Sequence, residues 1–292
     1  MRAGGHHPGE RALSTPDGSE FDPIASEYDR VRPSYPPALV DSACERARLR
    51  PGSRVLEIGC GTGQLTEMLV ERGLKVDAVE PGEHLAAVAR RRVGARSVQF
   101  HLGRFEDVTL PPESFEAVFS ATAFHWVDPA VGWLKVARVL APSGVFALLQ
   151  ASLPGLSEDE LTAWRAVLPD AATWMPRDSY VRWSGATERM SNISELWTWL
   201  VKKELARPEA AELFTEPRLL VAPVAYEHTA AEYIALLRTT STYQRLEPPL
   251  RPALEARIEA MIAAGGGVHQ AVETATLVTA CRATVAPAGV LG

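Results

Sequence analysis

The densest chemistry-bearing stretch of the chain is Val55-Leu56-Glu57-Ile58-Gly59-Cys60-Gly61-Thr62-Gly63, an apolar run that ends in glycines at alternate positions. Leu65, Met68 and Leu69 follow at helical spacing, so the glycines form the turn between a strand and a helix. Residues without a Cβ let a bound group approach the main chain, at the carboxyl end of a strand where open α/β sheets take their ligands. The spacing narrows the ligand. A dinucleotide fingerprint needs GxGxxG, but Gln64 follows directly on Gly63, and the Lys-Ser/Thr pair of a P-loop is absent. Glu80 closes the next apolar run. His125 lies in Ala121-Thr122-Ala123-Phe124-His125-Trp126-Val127-Asp128-Pro129. An imidazole with an ordinary pKa near ~6.5 suits it to accept a proton at neutrality.

These groups need a sheet to hold them. From Arg54 onward short apolar runs alternate with helical patterns, the sign of βαβ units. Strands are expected at Val55–Ile58, Lys75–Glu80, Val98–Leu102, Phe115–Ser120 and Val145–Leu149, with Pro142-Ser143-Gly144 breaking the helix before the last. Beyond Ala151 the rhythm turns helical: Ser157 and Glu160 make a capping box, and Met190, Ile193, Leu196, Trp197, Leu200 and Val201 line one helical face. Strand character returns at Leu219–His228. A second capping box at Thr229 and Glu232 follows, then a helix opened by Pro252 that ends at Gly265-Gly266-Gly267, and an apolar strand near Thr276–Cys281 expected at the sheet edge. The resulting division is a flexible tail over 1–18, a cap and ligand-binding core over 19–150, a helical insertion or lid over 151–216, and C-terminal strands and helices over 217–292 that complete the sheet.

With 292 residues, 46% of them hydrophobic, the chain can build a large core without disulfides or structural metals. Cys44, Cys60 and Cys281 are widely spaced and include no CxxC pair, so neither a disulfide framework nor a zinc site is expected, and a cytoplasmic setting fits. The net charge of −6 argues against nucleic-acid and anionic-membrane partners. No stretch approaches the ~20 apolar residues of a membrane span, and the first residues hold no apolar signal core. His6 and His7 sit in a Gly-rich tail that cannot fix two imidazoles as metal ligands.

Taken in order, VLEIGCGTG, Glu80, the turn Gly103-Arg104-Phe105-Glu106 and the segment Phe21-Asp22-x-x-Ala25-x-x-Tyr28-Asp29-x-x-Arg32-Pro33-x-Tyr35-Pro36 resemble the class I S-adenosylmethionine-dependent methyltransferases. The upstream segment is similar to the N-terminal cap of a small-molecule subgroup that includes trans-aconitate methyltransferase-like enzymes. The resemblance implies a Rossmann-like α/β fold, a mostly parallel seven-stranded sheet with helices on both faces, and a helical lid insertion. It implies S-adenosylmethionine as cofactor, with S-adenosylhomocysteine as product. The methionine end would lie on Gly59, Gly61 and Gly63 and the ribose on Glu80, with Glu57, Cys60, Gln64 and Pro81 among the further cofactor contacts. Arg104, Phe105 and Glu106 would meet the adenine, through the Phe105 ring face or its backbone N–H. Tyr28, Arg32 and Ala121 would complete the cofactor envelope, Arg32 as a fork on the methionine carboxylate.

For the acceptor, the expected contacts are Tyr35, Trp126, Trp183 and Trp197, with His125 as general base for transfer to oxygen. Five of the seven tryptophans, Trp164, Trp174, Trp183, Trp197 and Trp199, fall in the insertion, which suits either a pocket for a flat acceptor or the insertion's own core. A small-molecule acceptor and no metal are therefore expected. Transfer to nitrogen or carbon uses the same pocket. So does a non-methylating scaffold, regulator or cyclase on the same fold, because fold does not fix function.

Overall fold

The computed structural model describes residues 19–32, 34–94, 96–152, 157–168, 193, 208–244 and 246–284. The expected tail over 1–18 lies outside the described residues, as do Trp174, Trp183, Trp197 and Trp199 and, Ile193 aside, the helix expected from Met190 to Val201.

A 3₁₀ turn (Ser19–Ile24), α1 (Ala25–Val31) and α2 (Pro37–Arg46) lead into β1 (Arg54–Ile58), α3 (Gln64–Glu71), β2 (Lys75–Glu80), α4 (Glu83–Val93) and β3 (Val98–Leu102). Then come β4 (Phe115–Ala121), α5 (Pro129–Val139), β5 (Leu140–Ser152), α6 (Glu158–Arg165), α7 (Pro208–Leu213), β6 (Phe214–Thr229), α8 (Ala230–Arg238), α9 (Arg251–Ala264) and β7 (Val268–Arg282). The sheet has seven strands in the order β3-β2-β1-β4-β5-β7-β6. All neighbours from β3 to β5 pair parallel, and β7 runs antiparallel to both β5 and β6.

Alternation along the central strands builds a core on each face. Leu56, Ile58 and Val118 point into one cluster with Trp133 and Val136 of α5, while Val55, Ala117 and Phe119 join Leu65 and Leu69 of α3 and Val40 of α2 on the other. Burying each such large side chain contributes roughly 1.5–3 kcal/mol. The strand expected at the edge lies inside the sheet. Ala275, Leu277, Val278 and Ala280 of β7 are all buried, as an interior strand requires, whereas β6 carries Pro217 and Pro223, which an edge strand tolerates because it has free positions for residues lacking an N–H. The break at Pro142–Gly144 also sits differently: β5 starts at Leu140, and the register shifts between Phe115 and Ala117 of β4 accommodate it.

Both predicted capping boxes form, Ser157 with Glu160 at α6 and Thr229 with Glu232 at α8. α6 leaves the carboxyl end of β5, and α8 and α9 connect the carboxyl end of β6 to the start of β7. These helices therefore lie beyond the strand ends that carry the glycine turn, and they share their own cluster of Leu161, Trp164, Tyr233, Leu237, Leu254 and Ile258. Trp164 belongs to that core. Among the described residues, no helix is long and apolar enough to cross a membrane.

Candidate active site

The glycine turn leaves β1 with three left-handed residues, Gly59, Gly61 and Gly63. They need that freedom for different reasons. A Cβ on Gly59 would sit 2.4 Å from the Ala123 Cβ, and one on Gly63 would sit 3.0 Å from the Ala89 backbone, so these two permit close packing against the turn after β4 and against α4. A Cβ on Gly61 would meet nothing within 4 Å. Of the three, Gly61 is the one that faces open space. The turn is tied to β2 by the Gly59 and Cys60 N–H groups, which both donate to the Val79 carbonyl.

Two buried carboxyl groups flank it. Glu80, 5% exposed, accepts from the Gly61 N–H at 2.8 Å through one oxygen and from the Gly82 N–H at 2.9 Å through the other. Burial raises its pKa, and those two N–H groups oppose the shift. Each oxygen keeps a further lone pair. Glu57, 1% exposed, accepts from Thr66 Oγ1 at 2.6 Å; burial pushes its pKa to about 8, the Thr66 hydrogen bond opposes the rise and the Glu80 charge adds to it. The Cys60 thiol is buried, and burial with the nearby Glu57 and Glu80 raises its pKa, which makes it a poor nucleophile. Gln64 accepts from Thr62 Oγ1, while its Nε2 is buried without a hydrogen-bond partner. Gln64 is the first residue of α3.

The turns after β3 and β4 are bound to each other. Glu106 Oε1 accepts from the Asp128 N–H at 2.8 Å and from Arg104 Nη2 at 2.9 Å. Burial would raise the Glu106 pKa, but these bonds hold it below the ordinary carboxylate value. Phe105 corrects one expectation: its ring is buried in the α5-side core with Lys135 Nζ 5.1 Å from its centroid, so only the backbone N–H remains for a base. Pro81 is exposed directly after Glu80.

β4 ends at Ala121, and Thr122 then takes φ of 52°, rare for a β-branched residue and a mark of stored strain. Its N–H donates to the Leu149 carbonyl, and its Oγ1 bonds the Tyr35 hydroxyl at 2.9 Å. Burial raises the Tyr35 pKa beyond the normal phenol range, so the hydroxyl stays protonated. A 3₁₀ turn, Phe124–Trp126, follows. Phe124 anchors it against Trp133 and Phe146, and the half-buried His125 and Trp126 stand with ring centroids 4.7 Å apart. Trp126 also meets Phe21 of the cap edge-on at 6.1 Å, and Phe21 meets Tyr28 at 5.7 Å. The cap thus reaches the His125 turn through aromatic rings.

Arg32 corrects a second expectation. Its Nε donates to Thr239 Oγ1 at 3.0 Å and its Nη2 to the Thr239 carbonyl at 2.7 Å, so the fork closes on the end of α8, and its guanidinium stacks over Tyr28 at 5.1 Å. Trp183 and Trp197 lie outside the described residues. Sequence reasoning missed Thr122, whose backbone conformation no local pattern announces. It also missed Gln150 at the carboxyl end of β5, whose Oε1 is buried without a partner.

Residues 56–148 match a family described as a methyltransferase domain. The chain is 43% identical over 129 residues to an uncharacterized methyltransferase of Mycobacterium bovis, covering 44% of this chain and 51% of that one. It is 33% identical over 152 residues to a malonyl-[acyl-carrier protein] O-methyltransferase of Serratia marcescens, covering 49% of this chain and 58% of that one. The chain thus spans about half the length of the curated relatives it matches. A solved structure from Anaeromyxobacter dehalogenans, assigned to the type II methyltransferases, superposes with a TM-score of 0.56 at 23% identity, over 87% of this chain and 98% of that one. That likeness is one of fold.

Proposed function

Since residues 56–148 match a family described as a methyltransferase domain, we propose that this protein is a class I enzyme that transfers a methyl group from S-adenosylmethionine to a small-molecule acceptor, at oxygen. The observation that carries the proposal is the open face of Gly61, whose N–H is held by the buried Glu80 carboxylate. Glu80 offers its remaining lone pairs to the two ribose hydroxyls. Gln64 Nε2 offers a donor to the methionine carboxylate. Glu57 and the turn backbone flank the same end, Ala121 and the Phe105 N–H border it, and Tyr28 closes it from the cap. Bound there, the cofactor supplies a methyl on a positively charged sulfur, open to in-line displacement.

The protein's own part is alignment, exclusion of water and removal of a proton. His125, half-buried on the turn opposite the glycines, takes the proton of the acceptor hydroxyl or acid. Trp126 and Tyr35 border the acceptor, and Gln150 Oε1 accepts from one of its donors. The layer of α6, α8 and α9, which lies beyond the carboxyl ends of the strands, keeps water away. The Serratia relative, by name an O-methyltransferase, supports oxygen as the atom methylated. The net charge of −6 suits a small acceptor better than a nucleic acid, and the proposed setting is the cytoplasm.

The test is S-adenosylhomocysteine release over a panel of acids, phenols and amines, alongside calorimetry with S-adenosylmethionine. Release with an oxygen acceptor is expected. Glu80→Ala should weaken cofactor binding by about 1 to 3 kcal/mol, because two buried ligand hydroxyls lose their acceptors. Binding without release across the panel would move the reading to a scaffold or cyclase. No binding at all would overturn it.

A further inference from the structure

Arg92 lies in the last turn of α4, where nothing in its Arg90-Arg91-Arg92 run distinguishes it from its neighbours. In the fold its guanidinium joins three separate elements. Nε donates to the Thr62 carbonyl inside the glycine turn at 3.1 Å, Nη1 to Glu67 of α3 at 2.9 Å, and Nη2 to Asp29 of α1 at 2.6 Å. Its Cδ also lies 3.5 Å from where a Gly63 Cβ would be, so its stem packs on the turn as well. The side chain is only 25% exposed, and charge-assisted bonds in such a setting hold geometry more firmly than neutral ones. The cap has a second anchor at the other end of the same helix. Asp22 accepts from the Leu85 N–H at 2.9 Å and bonds His84 Nδ1 at 2.7 Å. α4 therefore carries the cap at both ends, but only the Arg92 end also holds the glycine turn.

We propose that Arg92 is a positioning residue that couples the seating of the cap helix to the shape of the glycine turn, so that an intact Asp29–Arg92–Thr62 chain is required for tight cofactor binding. The inference rests on the reading of that turn as the S-adenosylmethionine site. Its distinctive consequence concerns Asp29, which has no bond to the turn except through Arg92 among the described contacts.

The experiment is titration of the full chain with S-adenosylmethionine, with Tm recorded for each variant. Arg92→Gln should bind roughly 10- to 100-fold more weakly, the loss expected for charge-assisted bonds. Asp29→Ala should weaken binding severalfold with little change in Tm, and the double variant should bind no more weakly than Arg92→Gln alone, because both act through one chain of contacts. Arg92→Lys should recover part of the loss, since a single ammonium cannot reach all three partners. Native affinity in Asp29→Ala, or losses that add in the double variant, would overturn the coupling while leaving the cofactor assignment intact. Should Arg92→Gln fail to fold, Asp29→Ala decides alone. A native chain that does not bind S-adenosylmethionine would remove both the assignment and the coupling.

Discussion

The two halves of the site are built by different means. On the side of β1 and β2, the backbone does most of the shaping: three left-handed glycines, N–H groups donated to Glu80 and to the Val79 carbonyl, and a carboxyl sealed beneath them. On the side of β4 and β5, side chains brought from far apart in sequence set the geometry, as in Tyr35 on Thr122 and Phe21 against Trp126. A backbone cradle tolerates little variation at its own residues and fits one constant ligand. A wall of side chains can change without disturbing the sheet, which suits the partner that differs from one enzyme to the next.

The largest effect should come from the side-chain half. If His125 takes the acceptor proton, His125→Ala lowers kcat by ~10²- to 10⁴-fold while S-adenosylmethionine affinity stays near native, because only the transition-state proton transfer is lost. Single-turnover rates and calorimetry on the same variant measure the two quantities. A mild change in kcat would mean that alignment alone suffices and that the acceptor needs no base. A large loss of cofactor affinity would break the division of the site into independent halves.

Much of the cradle was legible in the sequence because its signals are local. Strand, glycine turn and helix follow each other within residues 55–69, and both capping boxes span only four residues. What could not be read depends on distant partners. Arg32 finds Thr239 across 207 positions, and no nearby residue hints that its fork is taken. Phe105 has the composition of a base-stacking residue, but the apolar space under β4 and α5 captures its ring. β7 was expected at the edge, although its apolar residues face both ways, Ala275 and Leu277 into one core and Val278 and Ala280 into the other, as in a strand covered on both sides.

A smaller effect tests whether the three glycines differ as their surroundings indicate. Gly59→Ala places a methyl 2.4 Å from the Ala123 Cβ in a left-handed backbone, so it should destabilise the fold by about 2 to 4 kcal/mol and disturb the His125 turn as well. Gly61→Ala carries only the backbone strain, about 1 to 2 kcal/mol, since its Cβ meets nothing, yet it should weaken cofactor binding by projecting into the ligand space. Denaturant unfolding and calorimetry separate the two. Equal destabilisation by both, with unchanged cofactor affinity for Gly61→Ala, would mean that Gly61, like Gly59, is structural.

The smallest effect concerns a side-chain contact on the backbone-built half, where removal should be nearly silent. His84 is fully exposed, and its hydrogen bond to Asp22, with the carboxylate's charge, raises its pKa above the ordinary 6.5. For Asp22, burial acts to raise the pKa, but the Leu85 N–H and His84 outweigh it and hold the carboxyl below 3.8. The signs give a window. A histidine with a raised folded pKa contributes stability that is fully present below 6.5 and lost as pH rises through the folded value; the depressed carboxyl contributes above 3.8 and loses its contribution as pH falls through its own folded value. His84→Gln should therefore lower Tm slightly between those limits and leave it unchanged at alkaline pH, because Asp22 keeps its bond to the Leu85 N–H in the variant. Cofactor affinity should not move, since the Arg92 clamp at the opposite end of α4 still seats the cap. A loss of Tm that persists at alkaline pH would show that His84 acts by packing. A loss of affinity would show that the amino-terminal anchor of the cap, and with it a surface side chain, shapes the cradle after all.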